Sequence, residues 1–174
     1  MEACGVQGLR RSKFKALRAF KVPGSRFLQL IIIKMKVTRF EDLEIWKDAR
    51  DLCKFIKILT TETPLSKDFK LRDQIRDSSG SIMDNIAEGF ERGGNKEFSQ
   101  FLSISKGSCG ETRSQGYRAY DYEYISQGSL DEIIKRTTSI SAKIFSLMQY
   151  LKNSDFKGFK YHVEEPPETF DPEP

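Results

Sequence analysis

Between about residue 42 and residue 152 the apolar positions recur at intervals of three and four, the period of a helix with one buried face rather than that of a strand. Ile45, Trp46, Ala49, Leu52, Cys53, Ile56 and Leu59 define a first run over about 42–61. Ile75, Ser79, Ile82, Ile86 and Phe90 define a second over 68–91, and Phe98, Phe101, Leu102, Ser105, Cys109 and Thr112 a third over 95–124. The fourth run, over 130–152, carries Ile133, Thr137, Ile140, Ile144, Leu147, Met148 and Leu151. The pattern predicts four amphipathic helices, with no internal repeat and no hairpin signal.

The breaks between the runs have identifiable causes. Pro64 lacks an amide donor and restricts the residue before it, so it ends the first helix. Acids lead that helix and lysines come late, an order that suits its dipole. Ser66 or Asp68 is placed to cap the second helix, and Gly93-Gly94 to close it in the left-handed geometry that glycine tolerates. Gly128 is expected to end the third helix, and Ser129 with Glu132 has the spacing of a capping box for the fourth. Short connections between four such helices make an all-α, up-down-up-down four-helix bundle the economical fold. Small residues on the second and third helices should let their backbones approach closely. Gly107, Gly110 and Gly116 lie inside the third, where each costs roughly 0.5–1 kcal/mol relative to alanine. The expected return is close contact with another helix, in this chain or in a second copy.

Charge divides the 174-residue chain into three parts. The formal net charge is +4, but residues 1–36 carry nine basic side chains against one acid, and the last fourteen residues carry five acids and no Lys or Arg. The stretch between them is close to neutral, so bulk basicity is no argument for nucleic-acid binding by the domain. The apolar run FLQLIII at 27–33 is far short of the roughly 20 residues a spanning helix needs. Lys34, Met35 and Lys36 follow it in place of a cleavage site. Amphipathic membrane attachment and a basic nucleic-acid arm remain alternatives for this leader. A new compositional regime begins at Met35, and the expectation is that residues 1–34 are an upstream extension of the reading frame, 35–153 the bundle, and 154–174 an acidic, proline-containing tail. Cys4, Cys53 and Cys109 are scattered and without CxxC spacing, which fits buried thiols in a reducing cytoplasm better than a disulfide framework or a zinc knuckle.

The candidate chemistry is sparse. The single histidine, His162, lies in the tail, so the Glu-x-x-His pairs of metal-binding bundles and any histidine-dependent triad are missing. Gly93-Gly94-Asn95-Lys96 lacks the spacing of a phosphate loop, and carboxylates such as Glu88 and Glu111 are more often solvated or paired than bound to magnesium. No catalysis, cofactor or metal is expected. Asn85, Glu88 and Arg92 share a helix face, either as an RNA or partner contact or as polar groups serving helix ends and one another. Lys67, Lys70, Arg72, Arg76, Arg92, Lys96, Arg113 and Arg118 are the candidate nucleic-acid contacts, against the plainer reading that they are solvated helix faces with acids interleaved.

At 81–92 (SIMDNIAEGFER), 97–102 (EFSQFL) and 106–111 (KGSCGE) the sequence resembles a bacterial family of four-helix-bundle proteins first noticed as open reading frames inside intervening sequences of 23S ribosomal RNA genes. Asn85 to Gly89 is the most specific part, and Leu43, Trp46, Ala49 and Gln74-Ile75-Arg76 join the resemblance, which starts at Met35 and runs to about Leu151. Asp77, Ser78 and Asp84 depart from the family pattern and put acids on the second helix, weakening any basic surface there. The resemblance implies a cytoplasmic, non-enzymatic bundle that assembles into a ring, a homopentamer, with Asn85, Glu88, Gly89, Arg92, Gly107, Ser108 and Glu111 as motif, packing or subunit-contact residues. A related branch, the accessory proteins of diversity-generating retroelements, extends the implication to RNA or DNA and to a reverse transcriptase as partners. The expectation is therefore an RNA- or DNA-associated accessory protein, the alternative being a protein-interaction or scaffolding module without nucleic acid.

Overall fold

The computed structural model describes residues 37–153; the basic leader, His162, Cys4 and the acidic tail lie outside them. The described residues form four α-helices and no strand: α1 (Glu44–Glu62), α2 (Phe69–Glu91), α3 (Asn95–Asp121) and α4 (Gln127–Lys152). Short 3-10 turns at Phe40–Asp42 and Pro64–Lys67 precede α1 and α2. Each helix turns its apolar stripe inward. Leu52 and Ile56 of α1, Ile75, Ile82 and Ile86 of α2, Leu102 of α3, and Ile133, Ile140 and Ile144 of α4 are fully buried in one shared core. Trp46, Cys53, Phe90, Phe101, Leu147, Met148 and Leu151, expected on the buried faces, are half-buried at the margins of that core.

Between α2 and α3 the contact is a seam of hydroxyls. Ser78 Oγ lies 2.9 Å from Thr112 Oγ1 and donates to Gln115 Oε1 at 2.6 Å. Ser81 Oγ lies 3.0 Å from Ser108 Oγ, and Ser105 donates to the Ile82 carbonyl at 2.9 Å. Moving up α2, the partners move down α3. Among the described residues every buried side-chain nitrogen and oxygen has a hydrogen-bond partner, as burial of polar groups requires. One or two side-chain links tie each of the other neighbouring pairs. Arg76 donates from Nε to Thr60 Oγ1 (2.7 Å) and from Nη2 to the Thr60 carbonyl (3.2 Å), and Cys53 donates to the Ser79 carbonyl. Arg113 donates to Thr138 Oγ1 between α3 and α4. Lys143 pairs with Asp48 at 2.6 Å, and Arg136 lies over the Phe55 ring, joining α4 back to α1.

The corners depart from the sequence expectations in instructive ways. Asp68, not Ser66, caps α2, accepting from the Leu71 amide; Ser66 belongs to the preceding turn. Gly93 closes α2 with φ 71°, the left-handed geometry expected of it. The third helix ends at Asp121 instead of Tyr124, and Gly128 does not end it. The Tyr124 amide donates to the Ala119 carbonyl and the Glu123 amide to the Tyr120 carbonyl, both at 2.8 Å, so the chain turns through Glu123 with φ 59°. This is the helix stop in which glycine is usual at the left-handed position, here occupied by a glutamate. The fourth helix starts at Gln127, with Ser126 as its cap accepting from the Ser129 amide. Ser129 is thus already inside the first turn, the expected capping box with Glu132 does not form, and Glu132 pairs with Arg136 instead.

Candidate functional site

Gly89 marks the closest approach of α2 and α3. A Cβ at this position would sit 2.6 Å from Phe101 Cβ and 3.0 Å from Phe98 Cδ2, so the missing side chain lets the helices meet. Asn85 Nδ2 donates to the Ser81 carbonyl (2.8 Å) and to Ser81 Oγ (3.0 Å), while Ser81 reaches Ser108. Asn85 therefore serves neither a helix end nor Glu88. Glu88 instead pairs with Arg92 at 2.6 Å, and the Arg92 guanidinium lies over the Phe101 ring, 4.8 Å from its centroid. The family motif is brought together as helix packing at the α2–α3 corner. Glu111 is exposed on the outer side of α3, apart from the Ser81–Ser108 contact.

Of the eight candidate nucleic-acid residues two are in ion pairs, and three hydrogen-bond neutral side chains of neighbouring helices, which leaves their charge in place. Arg72 pairs with Asp73 at 2.8 Å and lies over Phe69; Arg92 pairs with Glu88; Arg76 is held by Thr60, Arg118 by Gln74 and Arg113 by Thr138. Lys67 and Lys70 stand at the start of α2, whereas Lys96 stands at the far end, in the first turn of α3. The described residues contain eighteen basic and eighteen acidic side chains, so this domain presents no net positive charge to draw in a phosphate backbone.

The outer face of α3 is unlike the others. Among the described residues, Gly107 and Gly110 have no atom within 4 Å of where a Cβ would stand, so neither makes there the close contact expected of it. Gly116 does, with Ile133 Cγ2 at 3.1 Å. Around the two open glycines lie Ile104, 51% exposed, Tyr117, 47% exposed, and the small exposed residues Ser103 and Ser114. Ile104 and Tyr117 escaped the sequence reading because they interrupt no pattern there. Their signal is the phase: both lie on the side of the helix opposite Leu102, Ser105 and Cys109.

Other features hold less. A shallow cleft of about 190 Å³ between α1 and α4 is lined by Asp48, Asp51, Lys135, Arg136, Ser139, Ile140 and Lys143. Its charges neutralise one another: Asp48 pairs with Lys143, Asp51 with Lys54, and Glu132 with both Lys135 and Arg136. Burial pushes the Cys109 thiol up to about 12, and burial also raises Cys53, so neither is a reactive thiolate. Among the described residues no group of His, Cys, Asp and Glu is arranged to hold a metal ion, and no helix is long and apolar enough to cross a membrane.

Comparison with known proteins places this architecture. The chain is similar to a crystal structure of a protein of unknown function from the S23 ribosomal protein family of Bacteroides thetaiotaomicron, with 23% identity and a TM-score of 0.54 over 60% of this chain and 98% of that one. At that identity the likeness speaks for the fold. No curated protein matches the chain. The sequence profile of the 23S rRNA-intervening sequence protein family matches residues 41–146, a region that takes in the Asn85–Gly89 motif, the hydroxyl seam and the open face of α3. With more than half of its length matched, the chain belongs to the 23S rRNA-intervening sequence protein family.

Proposed function

We propose that the chain is an up-down-up-down bundle acting as a non-enzymatic assembly module, which forms a ring-shaped homo-oligomer, a pentamer, through the outer face of α3. The observation that carries this reading is the pair Gly107 and Gly110, neither with a described atom within 4 Å of where a Cβ would stand, between exposed Ile104 and Tyr117 along α3. Glycine inside a helix costs roughly 0.5–1 kcal/mol against alanine. Among the described residues nothing packs on these two, so a close-approaching second copy is the partner that recovers the cost. Opposed partner order along every neighbouring helix pair supports the topology, and the family resemblance supplies the five-fold count. The test is light scattering on the full chain, expected to give about five times the 20.1 kDa chain mass. Gly107→Leu should yield a helical monomer. A monomeric wild type at micromolar concentration overturns the reading.

Association with RNA or DNA is the second reading, favoured by the family's link to an rRNA intervening sequence and by the nine basic residues within 1–36. A reverse transcriptase partner is its extension. Labelled RNA titrated against the full chain and against residues 35–174 at several salt concentrations tests it. This reading expects binding that falls steeply with salt. Absence of binding to either chain at low salt overturns it.

A further inference from the structure

Acids and bases balance over the described residues, but they are not evenly spread. From Ile133 to Asn153 α4 carries Lys135, Arg136, Lys143 and Lys152 and no acid. From Phe98 to Tyr120 α3 carries Lys106, Arg113 and Arg118 against one acid, Glu111. Lys135 and Arg136 pair with Glu132, Lys143 pairs with Asp48, and Arg118 donates to Gln74 of α2. Lys106, Arg113 and Lys152 remain, and Arg113 meets only a neutral hydroxyl, Thr138 Oγ1. Cations outside ion pairs occur elsewhere in the bundle. What sets these three apart is the lack of acids around them.

Helical spacing puts them on one flank. Seven residues are close to two turns, so Lys106 and Arg113 stand in one row of α3, and Thr138, Phe145 and Lys152 in one row of α4. The Arg113–Thr138 hydrogen bond sets the two rows side by side. Gly116 lies against Ile133 while Arg113 meets Thr138, so the partners run in opposite order and Lys106 comes level with Phe145. Phe145 is 52% exposed there, an aromatic ring between cations. Burial raises the thiol of neighbouring Cys109, and the charges acting against that rise are those of Arg113 and Lys106. Glu111 is turned away from both, on the side of Ile104. The α4 row ends in an acid, Asp131, two turns before Thr138, so the basic flank runs from Lys152 up to Arg113.

We propose that the acidic tail of this chain, from Tyr161 to Pro174, docks on this α3–α4 flank. Glu164, Glu165, Glu168, Asp171 and Glu173 bring five negative charges, with no Lys or Arg among them, to a flank that has cations and no acid. Phe170 lies among these acids as Phe145 lies among the cations, which adds an apolar contact to the charge match. The reach is sufficient. Helix α4 ends at Lys152, on the flank itself, and the eleven residues from there to Glu164 span up to about 36–40 Å when extended. The flank is shorter: fourteen residues of helix, roughly 21 Å, separate Lys152 from Thr138. Tethering holds the acids at roughly millimolar effective concentration, so several individually weak pairs act together. An external phosphate backbone lacks that tether and would have to displace the tail.

The experiment is zero-length carbodiimide cross-linking of the full chain, read by peptide mass spectrometry on an equal mixture of isotopically heavy and light protein. Amide links between Lys106 and the tail acids within one chain are expected, with about fivefold fewer to Lys57, exposed on α1. A second measurement is the rate of Lys106 acetylation by an activated ester. It should be about threefold slower in the wild type than in the variant Glu164→Gln, Glu165→Gln, Glu168→Gln, Asp171→Asn, Glu173→Gln. That difference should vanish in about 1 M salt, where charges are screened within about 3 Å. The five substitutions lie outside the bundle, so helicity by circular dichroism should match the wild type. Equal Lys106 reactivity in the two proteins, or no tail link to Lys106, overturns the proposal. Tail links to leader lysines such as Lys13 or Lys34 in place of Lys106 overturn it in favour of the leader. Links that join only heavy to light chains overturn it in favour of a second copy's tail. Protection of Lys106 that arises only on adding oligouridine overturns it in favour of RNA.

Discussion

Gly89 and Gly116 on one hand, and Gly107 and Gly110 on the other, are the same residue used in opposite ways. The first pair is covered: Phe101 and Phe98 crowd the missing Cβ of Gly89, and Ile133 that of Gly116. The second pair meets nothing within 4 Å. All four carry a similar helix penalty. For the covered pair the return is visible inside the subunit, in the close passage of α2 past α3 and of α3 past α4. For the open pair no return exists among the described residues, and a helix twenty-seven residues long keeps two of its weakest formers on its outer face. A glycine cost without an internal gain points outward.

Substitutions break this contrast in order of size. Gly89→Ala should be the most damaging, because Phe101 Cβ is anchored to its backbone and cannot swing away. A loss of about 1–3 kcal/mol in chemical denaturation is expected, with α2–α3 splayed at that corner. Gly116→Ala should cost less, about 1 kcal/mol, since the Ile133 methyls need give by only a few tenths of an ångström and alanine returns some helix propensity. Gly107→Ala with Gly110→Ala should reverse the sign. Unfolding measured at dilutions where the chain is monomeric should show a gain of roughly 0.5–1 kcal/mol per site, while the oligomer weakens at higher concentration. If alanine at 107 and 110 left assembly intact, the outward half of the contrast would fail.

The smallest effect is electrostatic. The Arg136 hydrogen bond holds Glu132 below the usual carboxylate range, and the Lys54 hydrogen bond does the same for Asp51. A depressed folded-state pKa gives stability that is present above the unfolded carboxylate value and lost as pH falls through the folded one. These pairs sit on the surface, so denaturation midpoints should decline only modestly below about pH 4.5 and be flattened by salt. Cys109 supplies a converse check. Its thiol, raised by burial, should resist alkylation at pH 8 until the bundle is unfolded.

How much of this was written in the sequence depends on whether the cause is local. The helices were legible because burying one face leaves a 3.6-residue imprint on Ile75, Ile82 and Ile86 or on Ile133, Ile140 and Ile144. Proline and Gly93 marked two ends because backbone chemistry there is a property of the residue. The α3 end was not legible: Glu123 occupies a position where glycine is usual, so Gly128 attracted the boundary although it lies in the first turn of α4. Long side chains were the least readable. Arg76 reaches Thr60 on α1 and Arg118 reaches Gln74 on α2, and sequence spacing cannot say that a guanidinium will be spent on a neighbouring helix. Where those guanidinium groups are held was therefore not legible in the sequence.

The Ser78–Thr112–Gln115 and Ser81–Ser108 contacts have a mechanical consequence. These side-chain hydrogen bonds of 2.6–3.0 Å fit one alignment of α2 against α3, and a slide by one turn of about 5.4 Å would leave buried oxygens without partners. The seam works as a ratchet with a single notch. It makes the bundle a stiff spacer in which fifteen residues of α3 and its cap, roughly 22 Å at helical rise, separate Gly107 from Tyr122. Copies joined along the outer face of α3 would therefore raise their α3–α4 turns to one common height, like the points of a crown.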